Sequence, residues 1–401
     1  MGKLQAVSVK GREVFSFHYE PEWLNSSFAL VLDPDLGLYT GPQYTRDDKP
    51  NFGLFTDSSP DRWGRVLMKR REAFEARQEN RKAKTLLESD YLLGVYDIYR
   101  MGAIRYKLKP DGPFIDDNDG MAAPPMTSLR KLEAASLELE ADESANNPHF
   151  SEWMKLLLAP GSSLGGARPK ASVIDKSGQL WIAKFPSQSD EGNNGAWEEV
   201  LNRLAKTADI NVAEGYAKRF TRRQHTYLTK RFDRDPSGTR THFASAMTLL
   251  GYQDGDNATT GASYLEIAEF IMRSGATPNQ DLEELWKRIV FSICVSNTDD
   301  HLRNHGFLLT SKGWILSPAY DLNPIPSANG LSLNISENDN TLDLDLARSV
   351  ASEFRINNKK SISLIEQIKK AVACWQTEGA KIGITREEIQ TMESAFSNAE
   401  E

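Results

Sequence analysis

Apolar and polar positions alternate at two different periods along this chain. Over the first hundred residues, short apolar runs such as Ser27 to Leu32 and Tyr91 to Ile98 lie between turn residues and predict mixed strands and helices. Trp63, Leu67 and Phe74 fall at helical spacing and predict a helix from about Pro60 to Arg77. The stretch Lys107 to Thr127 holds four prolines and four aspartates with little apolar content, which predicts a linker or exposed loop. A helix is expected from Leu129 to about Leu139, and Trp153 to Leu158 is an apolar patch. Ala171 to Ile174 and Leu180 to Phe185 read as strands joined by a turn at Asp175-Lys176-Ser177-Gly178. Ala196 to Ala208 reads as a helix with its apolar stripe at Trp197, Leu201, Leu204 and Ala208, and Thr226 to Phe232 as a strand. Helices dominate beyond it: Ser263 to Glu266 has capping-box spacing, Asn279 is placed to cap Leu282 to Val295, and the tail from Val350 continues in helices.

At 401 residues the chain exceeds one compact core and predicts two or three packed units. We divide it into residues 1–127, 128–232 and 233–401, a sheet-rich part followed by a helix-rich one. The class is α+β. Apolar and charged shares of 39% and 26% are those of a folded globular protein. No apolar run approaches the roughly 18 to 20 residues that cross a bilayer, and Met1 to Lys10 lacks the apolar stretch of a secretory signal. A cytoplasmic location without membrane contact is the expectation. The two cysteines, Cys294 and Cys374, are too few for a disulfide scaffold and read as small core residues. A net charge of −8 argues against nucleic-acid binding by the chain alone, since that work needs clustered cations.

The densest polar cluster, Asn297 to Gly306, follows an apolar helix and precedes two apolar strands, Phe307 to Leu309 and Trp314 to Leu316, which end at Pro318-Ala319-Tyr320-Asp321. Such a hairpin returns Asp321 beside Asn304. Phosphoryl transfer needs a carboxylate that takes the proton of the attacking hydroxyl, and hard oxygen ligands for magnesium on the phosphates. Asp299 and Asn304 stand at the offset of the kinase catalytic loop H-R-D-x-x-x-x-N, with Asp321 in place of the metal-binding aspartate that follows. Lys184 is an isolated cation in an apolar strand, a suitable partner for phosphates, and Glu198 or Glu199 in the next helix could pair with it. The glycine turn from Ser163 through Gly165 and Gly166 to Lys170 lets backbone amides approach phosphate oxygens, although it matches neither the P-loop nor G-x-G-x-x-G.

These residues together resemble the HipA-like serine/threonine kinases of bacterial toxin–antitoxin pairs. The matching segments are Ser163 to Lys170, Trp181 to Pro186, Lys230 to Arg234, Asn297 to Gly306 and Pro318 to Leu322, with Asp57 to Gly64 and Gly102 to Arg105 similar to the family's amino-terminal unit. The resemblance implies a two-lobed protein-kinase-like fold with an added amino-terminal subdomain, and ATP and Mg2+ as cofactors. It implies Lys184 on the ATP phosphates, a hinge at Lys230 to Phe232 touching adenine, Asp299 as base, and Asn304 with Asp321 on magnesium. It places an autophosphorylated serine at Ser163, with the adjacent Ser162 as the alternative. It further implies a small helix-turn-helix antitoxin as partner and a translation component as the protein substrate.

Two other readings compete. Asp299, Asp300, His301, His305 and Asp321 could ligate the metal of a phosphohydrolase. The bland role for the two histidines is hydrogen bonding that stiffens the loop. Alternatively the chain is a non-catalytic co-repressor that binds an antitoxin.

Overall fold

A computed structural model describes residues 1–401 apart from 28, 116–123, 141–148, 150–152, 154–156, 158–165, 167, 222–223, 328 and 401. Its contacts divide the chain into two compact units, Met1–Gln188 with Asp233–Gln253, and Ser189–Phe232 with Asp254–Glu401. Neither unit is one continuous stretch.

In the first unit, β1 (Gly2–Val9) and β2 (Arg12–Tyr19) pair antiparallel, and β3 (Gln43–Tyr44) pairs with β2. Helix α1 (Arg62–Gln78) buries Trp63 and Leu67, and its N-cap Asp61 accepts the Gly64 amide at 2.7 Å. An N-cap of this kind satisfies an otherwise orphaned amide and is worth ~1 kcal/mol. The run from Tyr91 to Ile98, read as strand or helix, contributes to a short helix, α2 (Glu88–Leu93), and one 3-10 turn (Asp97–Tyr99). Helix α3 (Leu129–Glu140) follows, with Leu132 and Leu139 fully buried. Strands β4 (Lys170–Ile174) and β5 (Leu180–Lys184) form the expected hairpin. Asp175 Oδ1 accepts the Ser177 and Gln179 amides at 2.8 and 3.0 Å, and Gly178 supplies the left-handed φ of +79° that closes the turn.

The later segment of this unit is fastened by buried carboxylates. Asp57 accepts both the amide and the hydroxyl of Ser245, each at 2.8 Å. Asp233 accepts the Gly102 amide at 2.8 Å, and Arg234 donates to the Arg100 carbonyl at 2.7 Å. Asp57, Gly102, Asp233 and Arg234 all lie in segments that carried the family resemblance, and here they hold the unit together.

In the second unit, α4 (Asn194–Thr207) packs on the antiparallel pair β6 (Gly215–Arg219) and β7 (His225–Lys230). Helix α5 (Tyr264–Ser274) opens with the expected capping box, Ser263 with Glu266. Helix α6 (Pro278–Cys294) begins earlier than expected. Thr277 occupies the N-cap and Pro278 the first turn, where a missing amide costs nothing, so Asn279 lies inside the helix and its Oδ1 accepts from Arg355 at 2.6 Å. Leu282, Leu285, Trp286, Ile289, Val290 and Ile293 are all essentially inaccessible, and α6 is the central helix of the unit. Strands β8 (Gly306–Thr310) and β9 (Gly313–Leu316) follow in antiparallel register. Gly313 has φ +124°, and a Cβ there would come within 2.7 Å of the Ser274 carbonyl. The carboxyl-terminal helices α7 (Leu344–Ser349), α8 (Asn358–Val372), α9 (Trp375–Ile382) and α10 (Arg386–Thr391) complete the unit. Trp375 stacks on Phe396 with centroids 4.2 Å apart. Cys294 is buried as expected, whereas Cys374, just ahead of α9, is exposed. Among the described residues no helix is long and apolar enough to cross a membrane.

Candidate active site

Helix α6 delivers the polar loop. It ends at Cys294, and Ser296 adopts a left-handed φ of +46°, which turns the chain out of the helix. Asp299 is then exposed and Asp300 buried, so consecutive carboxylates face opposite ways. Leu302 to Asn304 form one 3-10 turn that brings Asn304 back, and Asn304 Nδ2 donates to the Asp299 carbonyl at 2.9 Å. With its nitrogen so used, the Asn304 amide keeps its oxygen as acceptor or ligand.

Asp321 reaches the same place after the β8–β9 hairpin. Ser317 donates its amide to the Gly306 carbonyl at 2.8 Å, and the Tyr320 hydroxyl donates to the Arg303 carbonyl at 2.6 Å. Arg288 of α6 donates to the Ser317 carbonyl at 2.7 Å, and Ala319 hydrogen-bonds with Asn211 and Ala213 at 2.8 and 2.9 Å. Asp321 itself is half-buried with φ +58°, a conformation that costs a non-glycine residue of order 1 kcal/mol and persists only where neighbours impose it. Its Oδ1 accepts from Asn323 Nδ2 at 3.2 Å, while the Asn323 amide donates to Asn297 Oδ1 at 3.1 Å. The space between the Asn304 loop and the 319–322 turn amounts to about 10 Å³, too little for more than one water. The expected return of the Asp321 segment to the Asn304 loop is therefore present.

The segment read as a hinge lies against this turn. Phe232 is half-buried, and its ring lies 5.6 Å from that of Tyr320. Lys230 ends β7 and pairs with Glu214 at 3.4 Å on the surface. Glu198 and Glu199 are both buried in α4. Glu199 accepts from Arg203 Nε at 2.8 Å and from the Ala217 amide at 2.6 Å. Burial, together with the charges of Glu198, Glu199 and Asp321, holds the Tyr227 hydroxyl well above the usual tyrosine range.

Lys184, in the first unit, is half-buried at the end of β5 and sits opposite Lys170 in the β4–β5 register. Lys170 lies at ion-pair distance, 3.0 Å, from the N-cap carboxylate Asp61, with both side chains almost wholly buried. Gly166 has φ +92°, and a Cβ there would meet the Lys170 ammonium at 3.0 Å. Ser162, Ser163 and Gly165 lie outside the described residues, as does most of the Trp153 to Leu158 patch.

Of the two histidines proposed as metal ligands, His305 faces Asp300. His305 Nε2 lies 3.1 Å from Asp300 Oδ1, near enough for charge attraction although the N–H direction is not that of an aligned hydrogen bond. The Tyr264 hydroxyl donates to Asp300 Oδ2 at 2.7 Å. Burial alone would raise the Asp300 pKa. The His305 charge and the contacts from His305 and Tyr264 outweigh it and hold that carboxyl below its ordinary value. Among the described residues no group of three or more His, Cys, Asp or Glu side chains is placed to hold a metal. Sequence reasoning missed Tyr264, Asn297, Tyr320 and Asn323; the first three lay inside quoted segments, but no local pattern assigns them a partner.

Residues 162–375 match the HipA-like C-terminal domain model, more than half of the chain. The chain belongs to the HipA-like C-terminal domain family. A relative from Haemophilus influenzae, named "Putative kinase", is 24% identical over 222 residues, which is 48% of this chain and 63% of that protein. Another "Putative kinase", from Sinorhizobium fredii, is 25% identical over 236 residues, 54% of this chain and 57% of that one. The match thus spans less than two thirds of these curated relatives. Shewanella oneidensis HipA, solved in complex with HipB and its operator DNA, superposes with a TM-score of 0.68 at 17% identity, covering 99% of this chain and 93% of that one. The chain accordingly has the HipA fold, and its architecture is of the α+β class expected from the sequence.

Proposed function

We propose that the chain is an ATP- and magnesium-dependent serine/threonine protein kinase, the toxin of a toxin–antitoxin pair. The observation that carries this reading is the exposed carboxylate of Asp299 in a loop closed by the 2.9 Å hydrogen bond from Asn304, beside the strained Asp321 turn. Asp299 orients a serine or threonine hydroxyl and takes its proton as the oxygen bonds to the γ-phosphorus and the bond to the β,γ-bridging oxygen breaks, leaving ADP. Asn304 and Asp321 offer hard oxygen donors, a set that suits magnesium. Bound magnesium supplies charge neutralisation at the phosphates. Lys184 holds phosphate oxygens through its ammonium. We assign Glu198 as the carboxylate that orients Lys184, with Glu199 as the alternative. Lys230 and Phe232 flank the adenine, and Gly165 and Gly166 let backbone amides approach the phosphates.

Ser163, or the adjacent Ser162, is assigned as a self-inactivating site. A phosphate there adds about −1.5 to −2 charges beside the ATP phosphates and repels them. By likeness to the HipA–HipB–DNA complex we assign a small helix-turn-helix antitoxin as partner, with DNA reached through it because this chain carries a net charge of −8. The substrate is assigned as a component of the translation machinery, and the compartment as the cytoplasm.

Incubation with radiolabelled ATP, magnesium and a translation extract is expected to label a protein on serine or threonine, and the chain itself at Ser163. Ser163→Ala should remain unlabelled. Tightly bound zinc or iron with phosphatase activity, or absence of any transfer, would overturn the assignment.

A further inference from the structure

Tyr264, Asp300 and His305 close a ring of side chains behind the catalytic loop. Asp300 joins the other two through the 2.7 Å bond from the Tyr264 hydroxyl and the 3.1 Å approach of His305. The third side closes where the Tyr264 and His305 rings meet edge-on, with centroids 5.6 Å apart. All three are buried, with 0%, 4% and 2% exposure in the order named. The ring is anchored outside the loop. Tyr264 is the first residue of α5, whose start is set by the Ser263–Glu266 capping box and by the Tyr264 amide donating to the Asn334 carbonyl at 3.0 Å.

Its place in the sequence is informative. Asp300 directly follows Asp299, and His305 directly follows Asn304. Each ring member in the loop is therefore one peptide unit away from a residue that carries the chemistry. The Asn304 to Asp299 hydrogen bond closes the same loop on its other side. A buried carboxylate is costly unless paired, and Asp300 is met on both oxygens, Oδ2 by the Tyr264 hydroxyl and Oδ1 by His305 Nε2. Such a ring is suited to fixing a distance. We infer that Tyr264, Asp300 and His305 are positioning residues that set the separation of Asp299 from Asn304, an inference that rests on the phosphotransfer reading of that loop. They act through their neighbours.

Two variants test this. Tyr264→Phe deletes one hydroxyl and keeps the ring contact with His305, while Asp300→Asn keeps the volume and removes the charge facing His305. Misplacement of reacting groups by about 1 Å costs on the order of 100-fold in rate. We expect kcat to fall about 10- to 100-fold, more than KM for ATP rises, with unfolding still cooperative. Deuterium exchange should quicken at residues 299–305 and stay unchanged elsewhere. Should Asp300→Asn fail to fold, Tyr264→Phe carries the test alone. Wild-type turnover and wild-type exchange in Tyr264→Phe, with only a lower melting temperature, would overturn the inference. If the wild-type protein transfers no phosphate, the phosphotransfer reading fails instead. Exchange then decides the clamp: a rise confined to 299–305 upholds it, and an unchanged profile overturns it.

Discussion

The hydroxyl of Tyr320 donates to the backbone carbonyl of Arg303 at 2.6 Å, and this one bond joins the residue before Asp321 to the residue before Asn304. Tyr320→Phe deletes it while retaining the ring beside Phe232. A lost hydrogen bond of this kind costs about 1 kcal/mol, which for a chain of this size lowers the melting temperature by roughly 2 °C. Calorimetry should record that shift, and kcat should fall by less than about tenfold because Ser317 still ties the two segments. Unchanged melting and turnover would mean that the bond is not formed in solution.

Asp299→Asn and Asp321→Asn should both abolish transfer but differ in nucleotide binding. Loss of a general base is worth roughly 10²- to 10⁴-fold in rate, whereas loss of a metal ligand also weakens magnesium-dependent affinity. Titration calorimetry with and without magnesium separates them: Asp299→Asn binds nearly as the wild type, and Asp321→Asn loses the magnesium-dependent part. Wild-type transfer in either variant would remove that residue from the site.

Lys184→Met keeps the apolar stem in β5 and deletes the charge. ATP affinity should drop and ADP affinity fall less, while thermal stability without nucleotide changes little. A variant that unfolds, yet binds ATP normally in its folded fraction, would make Lys184 a structural residue.

Acid should weaken the protein through His242. Both ring nitrogens are closed off from water, and desolvation pushes the imidazole down to about 4 from an ordinary 6.5. Above the unfolded value the residue is neutral in both states and contributes no pH dependence. Between that value and the folded one only the unfolded chain takes the proton, so stability falls with pH by about 3 to 4 kcal/mol and levels off below the folded value. Urea melts at several pH values should show this slope, and His242→Gln should flatten it. An equal slope in the variant would assign the acid sensitivity to other groups.

Elements whose determinants are close together in the chain were readable from the sequence alone. The turn at Asp175 to Gly178, the box at Ser263 to Glu266 and the Asp299–Asn304 offset each depend on residues at most five positions apart, and each appears in the fold. Helical period likewise located α1, α4 and α6, because one buried face repeats along a helix whatever it packs against. Partners were another matter. Asp57 caps a residue 188 positions away, Tyr264 meets Asp300 across 36 and Tyr320 meets Arg303 across 17. Nothing local distinguishes these side chains from other buried polar residues. Which carboxylate in Asp299-Asp300 faces solvent, and whether a small residue such as Cys374 is inside or out, depend on which distant segments the chain brings together. Burial and pairing are properties of that assembly, so tertiary structure alone decided them.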